Sequence, residues 1–466
     1  MKRRAAPRAG APATGAAFSL LVLARSLRRL DVPLAGGRLC IAYSGGLDST
    51  ALLAACAGLR TRYRCQVRAV HVNHRLQPSA ASMAAAARTN ARRLGVVCTI
   101  VDAPVTLARG DSLEAAARVV RYAALRGALK EGEWLVLAQH QDDQVESLLL
   151  QLLRGAGVAG LAAMAPRAGF MLRPLLDVTR EQLLRYLRAR SIRWIEDPSN
   201  AEERFGRNYL RRRVLPLLRE RWPGLGVTIS RSAALAAEAQ QLLTERAAAQ
   251  LHGAHDGEAL SVSALRRLPD LDRRNALRYW LEQRGLPMPD QRRLREIAGP
   301  MLHARHDAQP QVQWTGGSVR RHGGLLYAVS PLARSESAFL EHSRHRLVWQ
   351  WRPQPRLALP GGGWLELRDD PRGPWRRAAL PARLRVEFRR ADGKVAGASG
   401  GRKLKRALQQ SALAPWRRSA VPLVYAGRRL LAIGGSWCAA DRDAAPSTRR
   451  ARRCRLHVHH PSAAFI

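Results

Sequence analysis

Between residues 38 and 153 the chain alternates short, almost unbroken apolar runs with longer stretches of helical period. Leu39 to Tyr43, Val67 to Val72, Val96 to Val101 and Trp134 to Ala138 each read as a strand buried on both faces. Helical segments separate them. One begins near Ser49, an Ala-rich one reaches Leu94, and a third is opened by Asp111 with Glu114 at the capping-box spacing. A fourth carries Val145, Leu148, Leu149, Leu152 and Leu153 on one face. Strands that are continuously apolar, with a helix between each, predict a parallel sheet covered on both faces. Ligands of such sheets sit at the carboxyl ends of the strands.

The rest of the chain changes character twice. A helix capped by Thr179, with Gln182 as its box partner, leads into a segment that loosens from Trp194 to Leu218 and breaks at Trp222-Pro223-Gly224. Residues 226 to 297 read as helical, and Trp314 to Pro331 as a hairpin with glycine turns. Past about residue 340, short strands with Gly and Pro turns surround one helix, KLKRALQQSAL, and a strand pair, VPLVYAGRRLLAIGG. The expected fold is α/β: a parallel-sheet nucleotide-binding domain over 1–225, a mainly helical domain over 226–335 and a small α+β domain over 340–466.

The charge narrows the partners. Basic residues number 78 and acidic residues 36, a surplus of +42. Lysine occurs only at Lys2, Lys130, Lys394, Lys403 and Lys405. A compositional bias accounts for choosing Arg over Lys, but not for the shortage of acids. The surplus points to a polyanionic partner. A membrane surface is the competing polyanion, but no basic amphipathic helix stands out and no apolar run is long enough to span a bilayer. At the N-terminus the apolar stretch from Ala16 to Ala24 is followed at once by Arg25, Arg28 and Arg29, which reads as a tail and an amphipathic helix rather than an export signal. The six cysteines form no CxxC pair, so zinc and iron–sulfur sites have no support. They read as reduced core residues of a cytoplasmic protein.

Ser44-Gly45-Gly46-Leu47-Asp48-Ser49-Thr50 joins the first strand to its helix. Two glycines let the backbone approach an anion, which the serine hydroxyls and the helix N-terminal amides then bind. Asp48 repels phosphate unless a cation lies between them, which points to Mg²⁺ shared by Asp48 and a phosphate. The plainer alternative is a glycine turn with Asp48 or Ser49 capping the helix. The Gly-Lys-Ser/Thr ending of a Walker loop is missing.

This loop resembles the pyrophosphate loop of the ATP-pyrophosphatase (PP-loop) superfamily. Further motifs resemble one branch, the tRNA(Ile)-lysidine synthetases: HVNHRL (71–76), EAAARVVRY (114–122), AQHQDDQVES (138–147), RGAG (154–157), RPLL (173–176), DPSN (197–200) and RNYLR (207–211). Gly401 to Gly435 is similar to that family's C-terminal domain. The chain departs from the pattern where Gln139 replaces a His, Ser147 a Thr, Arg75 a Gly and Gln77 an Arg.

The resemblance implies an ATP-dependent ligase. ATP and Mg²⁺ bind at Ser44, Gly45, Gly46, Leu47, Asp48 and Ser49, and Asp48 and Arg118 serve catalysis. The wobble cytidine of the CAU anticodon of tRNA(Ile) is adenylated, and L-lysine displaces AMP to form lysidine. The tRNA then reads AUA and accepts isoleucine. Asp143 and Glu146 hold the lysine ammonium, while His140, Arg207, Arg211, Lys403 and Lys405 contact tRNA or nucleotide. Plainer roles stand beside these: Asp143 as an N-cap with Glu146 as its box partner, Arg118 and Arg121 on a solvated helix face, and Arg402, Lys405 and Arg406 on another. Trp416 either packs against that last helix or stacks on a base. A tRNA thiolase is the rival, but it calls for motif-embedded cysteines; a small-molecule amidating synthetase has no need of two extra basic domains.

Overall fold

The computed structural model describes residues 17–76, 79–106, 113–196, 203, 206–256, 258–305, 308–330, 347–359, 363–388, 401–411, 413–418, 421–439 and 452–459. Lys2, Gln77, Asp111, Asp197, Pro198, Ser199, Asn200, Pro331 and Lys394 lie outside these residues, as do the side chains of Glu114, Arg402, Lys403 and Arg417. The chain forms two compact units that divide between Leu242 and Leu243.

The first unit opens with α1 (Leu20–Arg29), capped by Ser19, whose Oγ accepts from the Val22 amide. Leu23, Ala24 and Leu27 bury its apolar stripe, the expected amphipathic helix. Then come β1 (Arg38–Ala42), α2 (Leu47–Tyr63), β2 (Gln66–Asn73), α3 (Ala80–Arg93), β3 (Val97–Asp102), α4 (Leu113–Gly127), β4 (Glu133–Val136) and α5 (Gln141–Leu153). Short α6 (Val158–Leu161), β5 (Arg167–Ala168) and β6 (Met171–Leu172) precede α7 (Arg180–Arg188). The sheet order is β3-β2-β1-β4-β6-β5. Every neighbouring pair is parallel except the β5–β6 edge. Leu39, Ile41, Leu52, Leu53 and Leu135 are fully enclosed, as strands covered on both faces require. Chain order reverses on either side of β1, so the carboxyl ends of β1 and β4 form the switch point where such folds open a crevice.

The segment expected to be loose is helical from Gly206. It runs through α8 (Gly206–Tyr209), one π turn (Leu210–Val214), α9 (Leu215–Arg221) and α10 (Leu225–Gln250). Three consecutive arginines hide its apolar period.

In the second unit the expected helical region is only partly so. Helices Val262–Arg267, Asp270–Gln283 and Gln291–Glu296 pack on a five-stranded antiparallel sheet. The expected hairpin is there, Gly317–His322 with Leu325–Val329. It is extended by Gln311–Trp314 on one side and by Ala259–Ser261 and His255–Asp256 on the other. The C-terminal part holds two antiparallel sheets about Trp349, Leu365, Val386 and Leu456, with helix Gly401–Gln410 beside them. Trp416 is half-buried. Its ring meets Tyr327 edge-on at 5.5 Å and His322 at 6.1 Å, with Arg320 over its face.

Five cysteines are buried, Cys438 is half-buried, and none is paired. Among the described residues no helix is long and apolar enough to cross a membrane, and no cluster of His, Cys, Asp and Glu suits a metal ion.

Candidate active site

The loop after β1 is closed by its own hydroxyls. Ser49 Oγ donates to the Gly46 carbonyl at 3.1 Å and accepts from the Ser44 amide at 3.3 Å. Ser44 Oγ lies 3.0 Å from Ser49 Oγ and accepts from the Gly46 amide at 3.3 Å. Buried Thr50 donates from Oγ1 to the Gly45 carbonyl at 3.1 Å. Gly45 has φ +87°, and a Cβ there would lie 2.7 Å from Ile195 Cδ1, so both backbone and space require glycine. Gly46 occupies the N-cap of α2 without a side-chain cap, leaving the first amides of the helix to an outside acceptor. Asp48 stands in that first turn and caps nothing.

β4 delivers the second half of the site. His140 is the N-cap of α5, and its amide donates to Asp143 Oδ2 at 3.1 Å. The capping role expected for Asp143 thus belongs to His140, and the partner role expected for Glu146 belongs to Asp143. The imidazole of His140 has no solvent exposure. Its Nε2 lies 3.5 Å from Asp48 Oδ1 and from Asp143 Oδ2, and its Nδ1 lies 3.5 Å from Asp142 Oδ2. Burial opposes its charge, but three carboxylates outweigh burial and raise the pKa from 6.5 to about 10. His140 is therefore an imidazolium at neutral pH. Burial likewise works to raise Asp48 and Asp142; contact with His140, reinforced by Arg180 on both and by Arg211 or Arg219, overcomes it and holds both carboxyls below the ordinary range.

Glu146 is wholly buried one turn along α5. Arg211, on the π turn, donates from Nε to Oε1 at 2.7 Å and from Nη2 to Oε2 at 2.9 Å, and reaches Asp143 Oδ1 at 3.3 Å. Arg207 Nε lies 3.4 Å from Glu146 Oε2, and its Nη2 donates to Ser147 Oγ at 2.9 Å. Burial still raises Glu146 above its ordinary pKa despite these arginines.

Asp48, His140, Asp143, Glu146, Arg207 and Arg211 thus meet at one crevice. Arg118 is exposed, its guanidinium 5.0 Å from the centre of the Tyr122 ring. The Tyr122 hydroxyl accepts from Gln139 Nε2 at 3.2 Å, and Gln139 Oε1 accepts from Arg173 Nε at 2.7 Å. Gln139, the departure from the family's His, bridges these two motif residues with one donor and one acceptor. Lys405 lies exposed in the second unit, on the helix that also carries Lys403.

Sequence reasoning missed Asp142, Arg180 and Arg219. Asp142 accepts from the Arg180 amide at 2.8 Å and pairs with Arg219, while Arg180 Nε lies 3.6 Å from Asp48. The doubled aspartate after His140 was the available signal for the first of these. Gln144 was also missed: it clamps the Met164 backbone through both its amide atoms.

A family model described as a PP-loop domain matches residues 20–218. A TilS substrate binding domain model matches 260–327, and a TilS substrate C-terminal domain model matches 384–457. The chain is 38% identical over 422 residues to the tRNA(Ile)-lysidine synthase of Methylococcus capsulatus, covering 87% of this chain and 93% of that one. It is 38% identical over 403 residues to the protein of that name from Coxiella burnetii, covering 85% and 88%. The Salmonella typhimurium protein of that name is 39% identical over 412 residues, covering 86% and 93%.

Proposed function

The chain belongs to the tRNA(Ile)-lysidine synthase family, and from that premise we propose how its residues divide the work. It is a PP-loop ligase that uses ATP to form lysidine in tRNA(Ile). Residues 1–225 carry catalysis, while 226–335 and 340–466 hold the tRNA.

ATP lies with its phosphates on Ser44 to Ser49, against the uncapped amides of α2. Mg²⁺ would be held at Asp48, the carboxylate of the loop and a hard oxygen donor, whose Oδ1 is buried without a hydrogen bond and stands 3.5 Å from His140 Nε2 and 3.6 Å from Arg180 Nε. When bound, it offsets phosphate charge. The C2 carbonyl oxygen of the wobble cytidine in the CAU anticodon attacks the α-phosphorus, and the bond to the β-phosphate breaks to release pyrophosphate. Arg118 supplies positive charge to the α-phosphate; its support is the link through Tyr122 to Gln139, the residue beside His140. The amine of L-lysine then attacks C2, AMP leaves with the former carbonyl oxygen, and the nitrogen gives up its proton. Adenylation has turned a poor leaving oxygen into a good one.

Asp143 and Glu146 receive the other ammonium of lysine. Their pairing with Arg211 means that lysine enters by exchange, one cation replacing another over a carboxylate that burial would otherwise neutralise. Arg207 and Arg211, once released, meet nucleotide phosphate, whereas His140, fully buried, does not touch nucleotide as expected but holds Asp48, Asp142 and Asp143 about itself. The work is cytoplasmic, where tRNA is matured.

One observation carries this reading: Asp48 of the ATP loop and Asp143 of the lysine pair share one buried imidazolium, 3.5 Å from each. The adenylated base and the incoming amine are thereby kept together. The test is mass spectrometry of tRNA(Ile) incubated with the protein, ATP and labelled lysine. Label at the wobble cytidine is expected, and an unmodified cytidine overturns the reading.

A further inference from the structure

Gln139 fills the position where the family pattern has a histidine, and its contacts define what that position demands. It stands past the end of β4, one residue before the His140 cap of α5. The side chain is held from two sides. Arg173 Nε donates to its Oε1 at 2.7 Å, and its Nε2 donates to the Tyr122 hydroxyl at 3.2 Å. Arg173 is buried and fixed in turn: Nη1 donates to the Ala165 carbonyl and the backbone amide to the Pro166 carbonyl, both at 2.8 Å. A guanidinium only donates, so the atom facing it must accept. That turns the N–H of the amide toward Tyr122.

Tyr122 passes the constraint on to α4. Its ring packs against the cluster of Cys40, Val70, Leu125, Leu135 and Leu137. Arg118, one turn earlier on the helix, places its guanidinium 5.0 Å from the ring centre, and Arg121 lies at 5.9 Å. A long, exposed arginine loses direction to rotamer freedom. A ring pinned at its hydroxyl gives it a platform.

We propose that Gln139 is the positioning residue for Arg118, acting through Tyr122, and that as an amide it meets a demand that a histidine meets only while neutral. The inference rests on Arg118 serving adenylation. A neutral imidazole offers the same pair, one nitrogen accepting from Arg173 and the other donating to Tyr122. A protonated imidazole donates at both, and sets a further cation beside Arg173, with Arg118 and Arg121 across the Tyr122 ring. His140, the next residue, stays out of this: its charge is matched by Asp48, Asp142 and Asp143. The amide carries no proton to gain, so the link holds on both sides of neutrality.

The test follows tRNA-dependent ATP–pyrophosphate exchange by the full chain. Gln139→Ala is expected to lower the exchange rate about tenfold, with KM for lysine in the complete reaction unchanged. In a Tyr122→Phe background the same substitution should cost less than about twofold, because the hydroxyl it acts through is gone. Gln139→His should match the parent near about pH 7.5 and fall behind it about two- to tenfold by about pH 5.5, since an ordinary imidazole titrates near about 6.5 and the arginines here lower that. Gln139→Ala at the parent rate, its full loss persisting in the Tyr122→Phe background, or a constant ratio of Gln139→His to parent across that pH range overturns the proposal. Arg118→Ala at the parent rate refutes the catalytic reading of Arg118 instead, and the proposal falls with it.

Discussion

Arg211 grips Glu146 by two parallel hydrogen bonds, Nε to Oε1 at 2.7 Å and Nη2 to Oε2 at 2.9 Å, and the carboxylate has no solvent exposure. On the proposed reading, this cation holds the place that a lysine ammonium takes. Glu146→Gln should therefore raise KM for lysine by roughly 30-fold or more, the low end of the ~2–5 kcal/mol lost with a buried charged partner. Adenylation of tRNA should continue. Arg211→Ala leaves the carboxylate to Arg207 alone and should cost about 3 kcal/mol in urea denaturation. Combining it with Glu146→Gln should restore part of that loss. An unchanged KM for lysine in Glu146→Gln would remove the residue from the lysine site.

Asp48 makes ion-pair contacts but caps nothing, so its loss should leave the first unit folded. Asp48→Ala should abolish tRNA-dependent ATP–pyrophosphate exchange, because nothing else in the loop offers a carboxylate to a cation. Exchange near the parent rate in a folded variant counts against the assignment.

His140 sets a pH dependence of known sign. Its folded pKa is raised from 6.5 to about 10, so the stability it contributes is full below 6.5 and is lost as pH rises through about 10. Asp48 and Asp142 run the other way: their pKa values are lowered from 3.8, and their contribution is present above that value and lost in acid. The stability gap between the parent and His140→Gln should shrink as pH climbs from about 7 to about 10. Urea denaturation across that range measures it, and a gap that stays constant means the imidazole is neutral throughout.

Arg75 adopts φ +54° where the family pattern has glycine, and its Nη2 donates to Asp102 at 2.6 Å. Arg75→Gly and Arg75→Ala lose the same ion pair, so their difference isolates the left-handed backbone. The glycine variant should melt about 2–4 °C above the alanine variant. Equal Tm values would show that the backbone relaxes at no cost.

Lys405 and Arg406 are exposed on helix Gly401–Gln410 while Ala407 and Leu408 enter the core, so these two members of the basic face read from the spacing are accessible. If both meet phosphate, replacing them with alanine should reduce the salt slope of tRNA binding by roughly 1.4 to 1.8. Titration of affinity against salt decides, and an unchanged slope frees this face from the RNA.

The four parallel strands and the loop after the first were legible because a doubly covered strand is apolar throughout and a glycine pair before a helix is conspicuous. What was illegible is long-range or very short. Arg207 and Arg211 read as RNA contacts because nothing local ties them to Glu146, which lies 65 positions before Arg211. The π turn bearing Arg211 leaves no periodic trace in five residues, LRRRV. Strands His255–Asp256 and Ala259–Ser261 are too brief to show alternation, so their region passed for helix. His140 looked like one more polar motif residue; its central place follows from three carboxylates that only the fold assembles.

The cysteines give the molecule a built-in clock. Cys40, Cys56, Cys65 and Cys98 are sealed in the first unit and Cys454 in the second, with Cys438 only half covered. Burial also pushes these thiols up, Cys40, Cys98 and Cys454 to about 11, which keeps them protonated and slow to react. An alkylating reagent at neutral pH will therefore tag Cys438 first and reach each of the others only when its surroundings open. Mass spectra of the tagged peptides would time the opening of the two units separately, in one sample, without a label introduced by design.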